Sequence, residues 1–505
     1  MIRGLDGVNP VLVRELMQAV RGRTFIGLYM AWLAVQAGVA YIFIVTATGS
    51  GVAETAGSGP GQGFFAFLMG GLGVMSAVLL PLTTFGRVYR EQREGTLPLL
   101  LLTRLQAGRA ATGFLLLASV QILLLLAASF PFLVLAWALR GLEPLAVFLG
   151  LFTLFAIGLP ANAAGLLAGS FCKTQRTAVV TRVLAVVLCS TVLPTMGLGL
   201  FIPIIVRGHG SVTSGGVWDW ELVACLATAS MALCLCCWAI ARANLLFESA
   251  NRATLARAVF AASLLFLGVL INALFHGKTA LNEMGLIYDN AGFFALLLFT
   301  FWAISGSGEI SRRVREDVPR SRRLRGLALP LLPGRATALL FYALGLFTHG
   351  GLAVLALAFS RPVSDFTEYL NWLLARSYTL LPLGFAVWAC HHFKVGRLGR
   401  VPCLLWAGLA AGVLIWGPYL IFGLEGGKTA FSFFHTTNIT DSVWQTSLVW
   451  RGIAAPILGL LLARPALYSE WRDLTPAAAA GFHTANPGGT VSVAEQSHEP
   501  ETNAL

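Results

Sequence analysis

The sequence contains few charged residues. Asp, Glu, Lys and Arg make up 11% of its 505 residues, whereas soluble domains carry about 25%. Apolar residues reach 57%, and uncharged apolar runs of about 20 residues recur, each long enough to cross a hydrocarbon core. This shortage of charge excludes an ordinary soluble enzyme. It predicts an α-helical membrane protein, because helices satisfy their own backbone hydrogen bonds in lipid.

The sequence also lacks the marks of a disulfide scaffold and of a cleaved signal peptide. All eight Cys residues lie within or at the edge of apolar runs, where no disulfide framework is expected. Cys234 and Cys237 have metal-site spacing, but neither His nor acidic residues are near them in the sequence, so no metal site is expected. The N-terminus is polar through residue 23, so the first span is expected to be retained.

The apolar runs predict an all-α fold, a polytopic transmembrane helical bundle of about twelve spans. The predicted spans lie near residues 24–46, 64–85, 113–139, 145–170, 178–206, 222–243, 256–275, 291–305, 337–360, 373–393, 402–423 and 444–463. With both termini cytoplasmic, 28 of the 35 Lys and Arg residues fall on the cytoplasmic side, as the positive-inside rule requires. The net charge of +12 is therefore interpreted as a record of orientation, and no nucleic-acid partner is expected.

The polar N-terminal segment is predicted to form a helix along the cytoplasmic membrane surface. The Asn9-Pro10 pair supplies an N-cap and a first helical residue. Leu12, Leu16 and Val20 recur on one face, a pattern typical of interfacial helices. A polar lead-in without special function fits the pattern equally well.

Residues 86–112 lie between the second and third predicted spans on the cytoplasmic side. Their acidic and basic residues end abruptly before Gly95, and the apolar run that follows is too short to span a membrane. A partly apolar cytoplasmic element needs a surface to dock on or under. Two interpretations fit: a positive-inside loop with an apolar patch, and a docking surface for a soluble subunit.

Two segments, NPVLVREL (9–16) and YREQREGTLPLLLLTRL (89–105), together with Gly113, resemble the permease subunits of bacterial ABC transporters of the type-2 exporter class. The residues that fit the family pattern are Glu91, Glu94, Gly95, Thr96, Leu97, Leu100, Leu101, Thr103, Leu105 and Gly113, whereas Arg104 replaces the usual Pro and Phe114 the usual Lys. The resemblance covers roughly residues 8–245. It implies that residues 86–112 and 172–177 transmit force from a separate ATPase subunit, and its implied coupling residues are Glu91, Glu94, Gly95, Thr96, Leu97 and Thr103.

The chain is accordingly divided into four parts. They are an interfacial helix (1–23), a six-span permease core (24–245), a second six-span membrane region (246–463) and a cytoplasmic tail (464–505) that is expected to be disordered. Both halves contain LPLL followed by Gly-Arg-Ala, which raises the hypothesis of a duplication. If the halves are a duplication, one chain supplies both transmembrane halves. If they are not, the chain pairs with itself or with another permease.

Basic residues are concentrated in the predicted cytoplasmic loop before the ninth span. Eight Lys or Arg residues lie between 306 and 336. Anionic lipid and an acidic surface of a partner both fit this charge. Membrane lipid is therefore among the expected partners.

ATP hydrolysis is not expected on this chain. The segment GLEGGKT (423–429) has only three residues between Gly423 and Gly427, where a P-loop needs four. It also falls on the predicted outer side, away from cytosolic ATP. No cofactor is expected here, and ATP is expected on a partner ATPase subunit.

Several polar residues fall inside predicted spans, where burying them is costly. They are Gln121, Asn162, Asn272, His349, Arg376 and Arg451. Arg451 and Asn162 are candidates for a transport pathway, while interhelical hydrogen bonding is the alternative for the set. Arg376 can also extend to the outer surface.

The function predicted from the sequence is a non-enzymatic one. We expect a multi-pass permease subunit of an ATP-driven exporter in a bacterial cytoplasmic membrane. The alternative is an integral-membrane enzyme or scaffold that acts without an ATPase. The outer-face carboxylates Asp219 and Glu221 could serve an enzyme, but no nucleophile or metal cluster accompanies them.

Overall fold

The structure is a computed structural model. It describes residues 9–49, 60–95, 106–139, 144–172, 220–247, 250–275, 280–304, 314–315, 318–319, 321–358, 376–377, 379–392 and 454–474, with the isolated residues 175 and 179. Every regular element within these ranges is helical. The all-α prediction is confirmed for this part of the chain.

The described part of the first half is built from seven α-helices. They are α1 (Pro10–Arg21), α2 (Arg23–Gly49), α3 (Pro60–Val74), α4 (Leu80–Arg93), α5 (Ala107–Ala138), α6 (Pro144–Phe171) and α7 (Trp220–Leu245). A π-helical turn at Met75–Leu79 joins α3 to α4, so that one continuous helix runs from Gly61 to Arg93.

Six further α-helices belong to the described part of the second half. They are α8 (Ala253–Leu274), α9 (Ala280–Ile304), α10 (Arg322–Ala328), α11 (Arg335–Ala358), α12 (Leu380–His392) and α13 (Ala455–Asp473). A 3-10 turn at Leu329–Leu331 follows α10 directly.

Eight helices in the described ranges are long and apolar enough to cross a membrane. They are α2, the joined α3 and α4, α5, α6, α7, α8, α9 and α11, and they match predicted spans one to four and six to nine. The protein is therefore a multi-pass helical membrane protein. Predicted spans five and eleven lie outside the described residues, apart from residue 179. Predicted spans ten and twelve overlap α12 and α13, which are not among the eight helices that are long and apolar enough to cross a membrane.

The eighth span is longer than the sequence predicted. The apolar run suggested residues 291–305, but α9 begins at Ala280 and ends at Ile304. The added turns contain Asp289 and Asn290, whose polar side chains interrupt the apolar pattern. Arg376 binds both of these side chains, which lets the helix carry them inside the protein.

The predicted cytoplasmic tail begins at residue 464, which lies inside α13, and this helix continues to Asp473. Glu470 of α13 is buried and accepts hydrogen bonds from the backbone N–H groups of Arg335, Ala336 and Thr337 at 2.7, 3.0 and 3.0 Å. These groups have no partner inside α11, because the first N–H groups of a helix are unpaired. A carboxylate at a helix N-terminus also stabilises the helix dipole. Residues 475–505 lie outside the described residues.

The two halves share one apolar core. Ala239 and Ala243 of α7 pack with Phe260 of α8 and Phe299 of α9, and the two Phe rings stack with their centroids 4.3 Å apart. Trp302 of α9 adds a hydrogen bond from Nε1 to the Asn244 side chain at 3.1 Å. Packing contacts therefore cross residue 245, and the division of the chain into two six-span regions stays a prediction.

Candidate coupling site

The N-terminal helix begins as the sequence predicts. The Asn9 side chain accepts a hydrogen bond from Val11 N–H at 3.1 Å, and Pro10 occupies the first helical position. Val11, Glu15 and Ala19 of α1 are buried in the protein, and none of them belongs to the apolar face that the sequence predicts to lie on the membrane. A carboxylate, Glu15, thus lies in the middle of the packed surface.

The second span continues as a rigid helix into the segment 86–112. Helix α4 reaches Arg93, and Glu94 N–H closes the last turn by donating to Arg90 C=O at 2.9 Å. Gly95 then takes a positive φ of 69°, a conformation that favours glycine and that commonly ends a helix. Thr96, Leu97 and Thr103 lie outside the described residues.

Glu91 lies inside the packed surface, whereas Glu94 is exposed. Only 7% of Glu91 is accessible, and its carboxylate is paired with the Arg14 guanidinium of α1. Arg14 also contacts Glu15, with Nη2 and Oε1 2.9 Å apart. Glu91 is therefore a contact to α1, and Glu94 is the acidic residue that faces outward.

Two opposing effects act on the pKa of Arg14. Partial burial lowers it, while the hydrogen bond to Glu15 and the negative charges of Glu91 and Glu15 raise it, and the net shift is upward. The guanidinium is therefore charged at neutral pH. A permanent cation on α1 suits a lasting attachment to α4.

Helix α1 also contacts the start of the third span. The Asn9 amide donates from Nδ2 to Arg109 C=O at 2.5 Å. Gly113 permits a close approach, because a Cβ at that position would lie 2.8 Å from Val11 Cβ. Helix α1 thus binds both ends of the segment 86–112. We call α1, the end of α4 and the start of α5, which the sequence predicts on the cytoplasmic side, the cytoplasmic block.

The cytoplasmic block is joined to α6 and, through α6, to the second half. Gln92 Nε2 donates to Ser170 C=O at 3.2 Å, and a Cβ on Gly169 would lie 2.9 Å from Val88 Cβ. The Ser170 hydroxyl accepts a hydrogen bond from Asn244 at 3.0 Å. Because Asn244 also binds Trp302 of α9, a chain of direct contacts runs from α4 to the second half.

Asn162 is fully buried and joins α6 to the second span. Its Nδ2 donates to the carbonyl oxygens of Ser76 and Gly158 at 3.2 and 2.7 Å, and its Oδ1 accepts from the Thr84 hydroxyl at 3.1 Å. The bond to Ser76 falls in the π-helical turn, where a backbone carbonyl needs another donor. This arrangement fits interhelical hydrogen bonding, and a pathway role for Asn162 stays a prediction. Arg451 lies outside the described residues.

Other polar residues flagged in the spans lie at helix contacts. Gln121 accepts from Arg87 at 3.4 Å between the second and third spans, and Asn272 of α8 donates to Leu352 C=O of α11 at 3.3 Å. Arg376, which the sequence allowed to extend outward, is instead buried and paired with Asp289. His349 lies beside the same carboxylate, with Nε2 3.8 Å from Asp289 Oδ1.

The sequence analysis did not identify three buried carboxylates that bind groups on other helices or on the same helix. Glu15, Asp289 and Glu470 are each buried, yet none was selected from the sequence. The signal for Asp289 was present, because Tyr288, Asp289 and Asn290 form a polar interruption in an apolar run. Among the described residues, His, Cys, Asp and Glu side chains form no group of three or more that could hold a metal ion.

The described contacts join α1, α4 and α5 of the cytoplasmic block, and they do not by themselves name a family. Comparison with protein-family models, with curated proteins and with solved structures finds no match to this chain.

Proposed function

We propose that the chain is the membrane-spanning permease subunit of an ATP-driven transporter, and that it works as an exporter. The observation that supports this best is the attachment of α1 to α4 through Arg14 and Glu91. It falls within the two sequence segments that resemble the type-2 exporter permeases. The exposed Glu94 caps the C-terminal end of α4, and this helix continues without a break into the second span.

In this proposal the cytoplasmic block receives force from a soluble ATPase subunit. ATP binding on that partner pushes on the exposed end of α4 near Glu94. Because α1 is attached to α4 and to α5, the push displaces the second and third spans as one unit. The Gln92 and Asn244 contacts then pass the displacement to α6 and to the second half. Rigid-body motion of packed helices of this kind is a common way to switch access between membrane sides.

The experiment is a charge reversal at Glu94. We expect a soluble Walker-motif ATPase to be encoded next to this chain, and the Glu94→Arg variant is co-expressed with that protein. We expect it to reach the membrane at the normal level, to lose most co-purification with that ATPase and to lose stimulation of its ATP hydrolysis. Arg464→Glu is the matched control, because Arg464 is also exposed, lies on the same predicted side and belongs to α13. Unchanged binding and stimulation in Glu94→Arg would remove the coupling role.

The alternative function is an integral-membrane enzyme or scaffold that uses no ATPase. It predicts that no Walker-motif protein is encoded beside the chain and that the purified protein binds none. A deletion strain then distinguishes the two further, since loss of a permease changes sensitivity to exported compounds.

A further inference from the structure

A small basic and apolar surface protrudes beside the cytoplasmic ends of α11 and α13. It consists of Arg322, Arg323, Leu324 and Leu327 of α10. With them we group the exposed Tyr468 of α13, about one turn from the Trp471 ring that Arg325 contacts, and we call the set the interfacial patch. Leu327 is 79% exposed and Leu324 58%, and Tyr468 is 69% exposed. Most other strongly exposed apolar side chains lie within the candidate spans, where lipid covers them. Leu324 and Leu327 lie outside any candidate span, so the lipid core that surrounds a span does not account for their exposure.

Helix α10 separates its residues into two adjoining exposed arcs. At 100° per residue, the exposed Leu324 and Leu327 fall in one arc, while the exposed Arg322, Arg323 and Gly326 fall in the next. The side opposite to both is filled by Arg325, which is buried. An apolar strip bordered by Arg is the pattern of a helix that lies in the plane of a membrane interface.

The patch is held firmly in place. Arg325 donates to Pro319 C=O at 3.3 Å and lies 5.6 Å from the centre of the Trp471 ring. Leu332, just beyond the 3-10 turn, packs with Val314, Val318 and Leu474 in a small buried cluster. These contacts tie α10 to the end of α13, so its exposed residues keep one orientation.

The patch lies directly before a candidate span, where a bilayer surface is expected. The 3-10 turn connects α10 almost directly to Arg335, where the span α11 begins. Tyr468 lies about one turn from Trp471 on α13, and Tyr and Trp are enriched where lipid headgroups meet the acyl chains. The loop from 306 to 336 carries eight basic and three acidic residues, a balance that attracts anionic headgroups.

We propose that the interfacial patch binds anionic phospholipid of the adjacent leaflet. Arg322 and Arg323 contact the headgroup phosphates, and Leu324, Leu327 and Tyr468 insert at the acyl-chain boundary. An acidic protein would satisfy the two arginines, but it would leave the leucines without a matching surface. The proposal does not depend on an ATPase partner.

The first test places a fluorophore on α10 of the full chain. The chain is reconstituted in vesicles of phosphatidylcholine and phosphatidylglycerol (7:3) with brominated acyl chains, and NBD is attached to Leu327→Cys. Gly326→Cys is the matched control, because a side chain there meets nothing within 4 Å and points into the basic arc. Unsubstituted protein treated with the dye gives the background from native cysteines. We expect at least twofold stronger quenching at residue 327 than at residue 326. Equal quenching at both positions would overturn the proposal, as would a signal at 327 that changes only when a protein partner is added.

The second test measures lipid preference. The ratio of phosphatidylglycerol to phosphatidylcholine retained by the purified chain is compared for wild type and for Arg322→Gln/Arg323→Gln. We expect the preference to fall by about fivefold for each arginine removed, since each basic residue near the surface contributes about that factor. Arg322→Lys/Arg323→Lys keeps the charge and should keep the preference. A Gln variant that retains phosphatidylglycerol like wild type would contradict the assignment of these residues.

Discussion

Arg376 and Asp289 form an ion pair inside the second half, with Nη1 and Oδ1 2.5 Å apart. Asp289 lies within the candidate span of α9, and Arg376 precedes α12. The guanidinium also donates to Asp289 C=O at 3.1 Å and to the Asn290 side chain at 3.0 Å, and it lies 4.8 Å from the centre of the Phe293 ring. One arginine therefore binds two consecutive residues of α9 and packs against the ring of a third.

Removing one member of this pair should be far more damaging than removing both. Asp289→Asn leaves the Arg376 charge buried without its counter-ion, and breaking a buried pair costs about 3–5 kcal/mol. The double variant Asp289→Asn/Arg376→Gln should recover part of that loss. The melting temperatures of the single and double variants are measured in detergent, with size-exclusion chromatography to monitor the loss of folded protein. Additive effects of the two substitutions would show that the pair is not energetically coupled.

Exchanging the charges of Arg14 and Glu91 should preserve the attachment of α1 to α4. Arg14→Glu adds a third carboxylate beside Glu15 and Glu91, and Glu91→Arg places two arginines together. Each should therefore reduce stimulation of the proposed ATPase by about tenfold or more. The double exchange rebuilds the pair and should restore most of it. ATP hydrolysis by the co-purified complex is the readout. Failure of the exchange to rescue either single variant would argue against an ionic contact.

The crossing of α12 and α13 depends on two glycines. A Cβ on Gly384 would lie 2.1 Å from Gly459 C=O, and one on Gly459 would lie 2.3 Å from Leu380 C=O. Alanine at either position must separate the two backbones, and overpacking of this kind costs about 1–3 kcal/mol. Gly351→Ala is the control, because nothing lies within 4 Å of a Cβ there, and it should not lower the melting temperature. Equal melting temperatures for Gly384→Ala and Gly351→Ala would refute the close crossing.

Replacing Asn162 should lower the thermal stability of the protein, with no separate effect on transport. Asn162→Ala removes two buried hydrogen bonds between α6 and the second span and a third within α6, a loss of about 1–2 kcal/mol in a membrane protein. Thr348→Ala serves as a control, because its exposed hydroxyl bonds only within its own helix. Thermal stability and membrane abundance are measured together with transport. A variant of normal stability that alters transport would support the pathway role instead.

Local sequence features predicted twelve spans, and eight of them coincide with membrane-length apolar helices in the described residues. Span positions depend on runs of apolar residues, and the start of α1 depends on the Asn9 side chain and the Pro10 ring, all of which act on neighbours in the chain. The eighth span was shortened in the prediction because Asp289 breaks its apolar run. Only the position of Arg376 shows that this carboxylate is neutralised by a partner.

The sequence by itself determined that this is a helical, multi-pass membrane protein, because about 20 apolar residues in a row have one stable arrangement in lipid. It also indicated where charge interrupts that pattern. Only the tertiary structure decided which charges meet: Arg14 with Glu91, Arg376 with Asp289, and Glu470 with the start of α11. These partners are separated by many tens of residues, and their pairing depends on which helix faces pack together. Periodicity within a single helix contains no information about that choice.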